Sequence, residues 1–233
     1  MSGTGAVERI AARIGARYHE AADTVFMDGS SPWEVDEAME AFGFAIGPFA
    51  SQDVTGLDEA LAERRRWLAA QAAGRRVIPL LDRMVELGKL GRKTGAGWYR
   101  YPGGGGRVDD PVVADLALEE CHFEGRTRTD YGEDEIRERL LLAMIDEAAL
   151  AHRDEPDAAP AAVDRACVER LGFPAARGGP LRLADTLGLR HVADRLAALS
   201  GENCAVWRAA PLLARRAAAD RTFHDRAAPC STI

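Results

Sequence analysis

A motif that occurs twice constrains this chain more than any other feature. The first copy runs Val35-Asp36, Phe42-Gly43-Phe44-Ala45-Ile46-Gly47-Pro48, Asp53 and Gly56-Leu57-Asp58. The second runs Val163-Asp164, Leu171-Gly172-Phe173-Pro174, Gly179-Pro180, Asp185 and Gly188-Leu189-Arg190. A matching stretch lies upstream of each, His19-Glu20-Ala21-Ala22 and Asp146-Glu147-Ala148-Ala149. Order and spacing agree apart from a few inserted residues. The period of roughly 130 residues is far above the roughly 20–50 of solenoid repeats. The chain therefore reads as two related modules.

Both modules read as helical. Over 6–28, Val7, Ile10, Ile14, Tyr18, Ala21, Ala22, Val25 and Phe26 recur at helical spacing on one face. Ser31-Pro32-Trp33-Glu34 then offers a cap, a first-turn proline and a capping-box glutamate, and Val35, Met39 and Phe42 supply a buried stripe. Further helices are predicted from Gly47-Pro48 to Thr55, from Leu57 to about 71, and over 78–87. Asp110-Pro111 opens another, to about His122. In the second module the helices fall at 133–152, 160–172, 180–187, 189–199 and 210–219. Ala159 stands where Ser31 stood, so that helix start is expected to be weaker by about 1 kcal/mol. Few stretches alternate with period two. The expected fold class is all-α, with modules over 1–101 and 133–233 and a linker over 102–132 holding a Gly-rich loop and one helix.

The formal charge of −7 argues against a nucleic-acid binder, which usually carries net positive charge. No run of about 18 apolar residues suggests a membrane span. The start lacks the basic and apolar regions of a signal peptide. Cys121, Cys167, Cys204 and Cys230 show no CxxC pair and no zinc spacing with His. They are read as reduced thiols in a cytoplasmic protein.

The run Phe42-Gly43-Phe44-x-x-Gly47-Pro48-Phe49, Asp53, Gly56-Leu57-Asp58, then Lys93-Thr94-Gly95-x-Gly97-x-Tyr99-x-Tyr101 resembles the C-terminal domain of 3-hydroxyacyl-CoA dehydrogenases. The second copy, with Gly172-Phe173-Pro174, Arg177-Gly178-Gly179-Pro180 and Ala184-Asp185, is similar to the repeated C-terminal domain of multifunctional fatty-acid oxidation proteins. The resemblance spans about Val7 to about Phe223. It implies a helical domain that dimerises in single-copy members. In duplicated members it implies a pseudo-two-fold pairing of the modules, expected here around 35–43 and 163–171. It also implies an N-terminal Rossmann domain that binds NAD and carries a catalytic His–Glu pair. That unit needs a strand, a GxGxxG turn and a helix. The one candidate loop, Gly103-Gly104-Gly105-Gly106, follows Tyr-Pro instead of a β-branched strand. NAD is therefore expected only through a partner Rossmann protein, with no cofactor and no metal in this chain. The family also has an Asn-Arg pair where this chain has Ala12-Arg13, and Ala12 cannot donate the hydrogen bond of that substrate-binding Asn.

No catalytic residue is assigned with this pattern. His19 and Glu20 are the candidates for acid–base work, yet adjacent helix positions point about 100° apart. The match of Glu20 to Glu147 favours a role for both in the fold, as does the recurrence of Asp53 at Asp185. Lys93, in a glycine-rich turn, could hold a phosphate. Arg64-Arg65-Arg66, Arg75-Arg76 and Arg92-Lys93 make 60–101 basic, suited to a CoA thioester, an acidic partner or a solvated face. Arg13, Ile46, Phe49 and Lys93 are the candidate substrate-binding residues. The face around Arg13, Arg17, His19 and the loop 44–49 is expected to be exposed unless a partner Rossmann protein or a second copy of the chain covers it.

Two functions follow. One is the acyl-CoA or acyl-thioester binding and assembly half of an oxidoreductase whose NAD domain is a separate chain. The other is a repurposed, non-redox domain, either a binding or scaffold module or a biosynthetic enzyme on a thioester.

Overall fold

The computed structural model describes residues 3–70, 76–155, 157–202, 207 and 209–224. Among them are eleven α-helices and one small two-stranded sheet. Cys204, Cys230 and Arg75 lie outside the described residues. The helices follow the sequence punctuation closely. α1 is Gly3–Asp28, α2 Pro32–Phe42, α3 Pro48–Thr55, α4 Leu57–Ala69 and α5 Leu80–Glu86. α6 is Pro111–Phe123, α7 Glu133–Asp154, α8 Pro160–Leu171, α9 Pro180–Leu187, α10 Leu189–Glu202 and α11 Pro211–Ala218.

The α2 start carries the full capping box. Ser31 Oγ accepts from Glu34 N at 3.2 Å, and the Glu34 carboxylate accepts from Ser31 N at 2.7 Å. At α8 the cap position is Ala159, with no side-chain bond.

The chain divides into two compact units, residues 15–143 and residues 1–14 with 144–233. In the first, Phe49 of α3 meets Trp98 edge-on at 5.1 Å between ring centroids and Phe26 of α1 at 5.6 Å. The segment 89–101 makes a 3₁₀ turn over Arg92–Thr94 and a strand, β1, Tyr99–Arg100. β1 pairs antiparallel with β2, Val108–Asp109, and the glycine run forms the hairpin loop between them. Residues 102–132 belong to this unit, with Val113, Leu116, Ala117 and Cys121 of α6 buried. Arg107 locks the hairpin down: it donates to both Glu40 carboxylate oxygens at 2.7 and 3.0 Å and lies over the Trp33 and Tyr99 rings.

In the second unit Val163, Cys167, Phe173, Leu181, Val192 and Leu196 form an apolar centre. Both units place a glycine where an aspartate leaves no space for a side chain. A Cβ on Gly47 would sit 2.4 Å from Asp36, and one on Gly179 2.4 Å from Asp164. This close approach explains why Gly-Pro recurs at both positions.

Candidate functional site

α1 carries most of the polar groups that sequence reasoning singled out. Its apolar face buries Tyr18, Ala21, Ala22, Val25 and Phe26, and the charged residues between them go under with it. Arg17 is 1% exposed and donates to Glu20, three residues on. His19 is half-buried against the Tyr18 ring, and burial lowers its imidazolium to about 4, so the ring is neutral near pH 7. His19 and Glu20 are thus not brought together as an acid–base pair: Glu20 is engaged by Arg17.

The second unit repeats the arrangement. Arg13 of α1 donates to Glu147 at 2.8 Å and to Asp154 at 3.0 Å. The two matching glutamates are each neutralised by an α1 arginine. Arg13 therefore enters the site description as the partner of a buried carboxylate.

Two exposure expectations require correction. Phe49 was expected to meet water, but it is 1% exposed, because α3 turns it onto Phe26 and Trp98. Arg17 was also expected on an open face and is buried with Glu20. Ile46, at 38% exposed, does meet water. Phe42 is only half-buried, so the buried stripe of α2 rests on Val35, Ala38 and Met39.

The Lys-Thr-Gly segment is a closed turn. Thr94 Oγ1 donates within the turn, to Gly91 O or Ala96 O, and accepts from Leu90 N at 3.0 Å. Lys93 pairs with Asp58 in the first turn of α4, both of them part-exposed. Much of the basic stretch is likewise paired. Arg64 and Arg65 reach Asp82, Arg76 reaches Asp28 and Glu124, and Lys89 reaches Asp110.

One cleft in the first unit collects buried charge that no motif announced. It is open-sided, with about 10 Å³ of enclosed space, and is lined by Glu20, Asp23, Arg64, Trp67, Arg76 and Ile78 among others. Arg64 donates to Ile78 O at 2.8 Å and lies 3.7 Å from Asp23. Asp23 Oδ1, Arg64 Nε and Arg76 Nε are buried without hydrogen-bond partners. Burial pushes the Asp23 carboxyl up to about 7; Arg64 opposes, while Glu20 and Asp82 add repulsion. A carboxyl titrating near neutrality in a cleft is the type of perturbed group that marks candidate sites. It can hold or release a proton there. No group of His, Cys, Asp and Glu suited to a metal occurs among the described residues. The only signal in the sequence was an aspartate inside an apolar helical stripe, three residues after Glu20.

The glycine run over 103–106 does not form the dinucleotide turn that the sequence offered as a candidate. The glycine run joins antiparallel strands, and the helix that follows β2 already has Asp110 at its start, accepting from Val112 N at 3.2 Å. A carboxylate at that helix end would repel a pyrophosphate.

The family described as "3-hydroxyacyl-CoA dehydrogenase, C-terminal domain" matches twice, over residues 10–101 and 136–227. The chain belongs to this family. The family's peroxisomal bifunctional enzyme of Pongo abelii is 35% identical over 195 residues, covering 77% of this chain and 27% of that protein. The human peroxisomal bifunctional enzyme is 34% identical over the same shares. The fatty acid oxidation complex subunit alpha of Acinetobacter baylyi is 29% identical, covering 74% of this chain and 24% of that protein. The chain thus spans about a quarter of the length of the curated relatives it matches. The crystal structure of 3-hydroxybutyryl-CoA dehydrogenase from Escherichia coli K12 shares the fold, with a TM-score of 0.69 at 20% identity, over 90% of this chain and 59% of that one.

Proposed function

We propose that this chain supplies the acyl-binding and assembly surface of an acyl-CoA or acyl-thioester oxidoreductase. NAD and the catalytic His–Glu pair come from a Rossmann domain outside this chain. The observation that carries this reading is the state of the acid–base candidates. The helical frame of both family copies is intact, yet Glu20 is held by Arg17, Glu147 by Arg13 and Lys93 by Asp58, and His19 is neutral. Among the described residues, His19 has no carboxylate beside it, since Glu20 is held by Arg17, so these candidates position substrate without forming a His–carboxylate pair to take a proton from a hydroxyl. The partner is a separate Rossmann protein, with homodimerisation as the alternative way of covering the Ile46 surface. The buried free thiols Cys121 and Cys167 suit a reducing cytoplasm.

The test is reconstitution. The pure chain, titrated with NADH in a calorimeter, should give no heat of binding. Mixed with the isolated Rossmann domain of a family member, it should support acetoacetyl-CoA-dependent NADH oxidation that neither component shows alone. Micromolar NADH binding, or turnover by the chain alone, overturns the reading.

A second reading rests on Ala12, an exposed apolar residue at the position of the family's substrate Asn. It makes the chain a repurposed, non-redox domain, either a binding or scaffold module or a biosynthetic enzyme on a thioester. Acetoacetyl-CoA binding with no NADH oxidation in any mixture would favour it.

A further inference from the structure

Two arginines and one aspartate in the unit of residues 15–143 keep polar atoms that no protein group answers. Arg64 commits Nη1 to Ile78 O at 2.8 Å and Nη2 to the Asp82 carboxylate. Arg76 commits Nη1 to Asp28 and Nη2 to Glu124, each at 2.7 Å. A guanidinium is planar, so these anchors also fix where each Nε–H points. Neither Nε has a protein acceptor, and Asp23 Oδ1 has no protein donor. Asp23 is 3% exposed. Its other oxygen lies 3.7 Å from Arg64 Nη1, too far for a hydrogen bond. All three residues line the same cleft, beside Trp67 and Ile78.

Buried polar groups of native proteins find a partner in the protein or in ordered water. A gap above about 3.5 Å between two polar groups is where a bridging water belongs. Size restricts the occupant. The enclosed space of about 10 Å³ matches one water-sized sphere, close to the least that holds a water. Charge restricts it further. An anion would lie against Asp23 and Glu20, and a cation against two guanidinium groups. A small neutral molecule that both accepts and donates meets all three atoms. Its two lone pairs take the Nε–H of Arg64 and of Arg76, and one of its hydrogens goes to Asp23 Oδ1. We infer that the cleft is a site for one ordered water, which bridges Asp23 of α1 to Arg64 of α4 and to Arg76.

The bridge falls at a junction of elements. Arg64 also reaches Asp82 of α5, and Arg76 also reaches Asp28 at the end of α1 and Glu124 just past α6. The water ties Asp23 to both guanidinium groups where the 3.7 Å separation denies a direct bond. What residue 23 must supply is an acceptor oxygen, and a carboxamide supplies one as well as a carboxylate does.

Crystals of the intact chain at about pH 8 test this, because burial pushes the Asp23 carboxyl up to about 7 and it is mostly ionised there. The electron density should show one peak within about 2.5–3.2 Å of Asp23 Oδ1, Arg64 Nε and Arg76 Nε. A bromide soak separates water from a halide, and the peak should carry no bromine anomalous signal. Asp23→Asn should keep the peak, and Asp23→Leu, which has no acceptor, should lose it. The density and the soak of the unmutated chain decide the question even where a variant fails to fold. No peak at that position, a bromine signal there, a direct Asp23–Arg64 hydrogen bond in its place, or a peak unchanged in Asp23→Leu each overturns the site.

Discussion

Phe49 and Asp23 show how far a single residue's role depends on its neighbours. Phe49 follows a Gly-Pro that the sequence marks as a helix start, which says nothing about its side chain. The structure closes Phe26 and Trp98 on it. Phe49→Ala should therefore cost about 3–5 kcal/mol, as for a buried aromatic. Phe42→Ala, at a half-buried position, should cost clearly less. Urea unfolding followed by tryptophan fluorescence compares them, and equal losses would contradict this core. Asp23 carries a pH prediction. Its carboxyl is neutral in the fold up to about 7 but ionises near 4 in the unfolded chain. The stability it contributes is complete below about pH 4 and lost as pH rises through about 7. Asp23→Asn should remove a decline on the order of 2–4 kcal/mol between pH 4 and 8. Parallel pH–stability curves for the two proteins would show that Asp23 is ionised in the fold.

At the scale of elements, the copies differ most where a cap differs. Ser31 and Glu34 satisfy the first amides of α2 reciprocally, whereas α8 starts from Ala159 with none of that. Ser31→Ala should cost about 1 kcal/mol and Ala159→Ser should return a similar amount or less. Thermal unfolding of the two variants decides it; a neutral Ser31→Ala would mean that the box seen here contributes nothing in water. The helix starts were legible because caps, prolines and terminal glycines act within three or four residues of the chain. The hairpin at Tyr99–Asp109 was not. Two-residue strands carry no periodicity, and what holds this one is Arg107, whose partners Glu40, Trp33 and Tyr99 come from distant positions.

At the scale of the whole chain, the duplicated motif by itself determined the helical class, the family and the positions that recur. Those positions work through local rules: a glycine that stops a helix, a proline that starts one, an aspartate placed to accept from backbone amides. Arg17 and Glu20 pair locally, three residues apart on one helix. Tertiary structure decided the other pairings: Arg13 and Lys93 were candidate substrate contacts until folding brought Glu147 and Asp58 to them. It also decided that Asp23 titrates near neutrality. Burial and charge pairing depend on side chains far apart in sequence, and desolvation energy is set by the whole environment of a group, which periodicity and spacing do not encode.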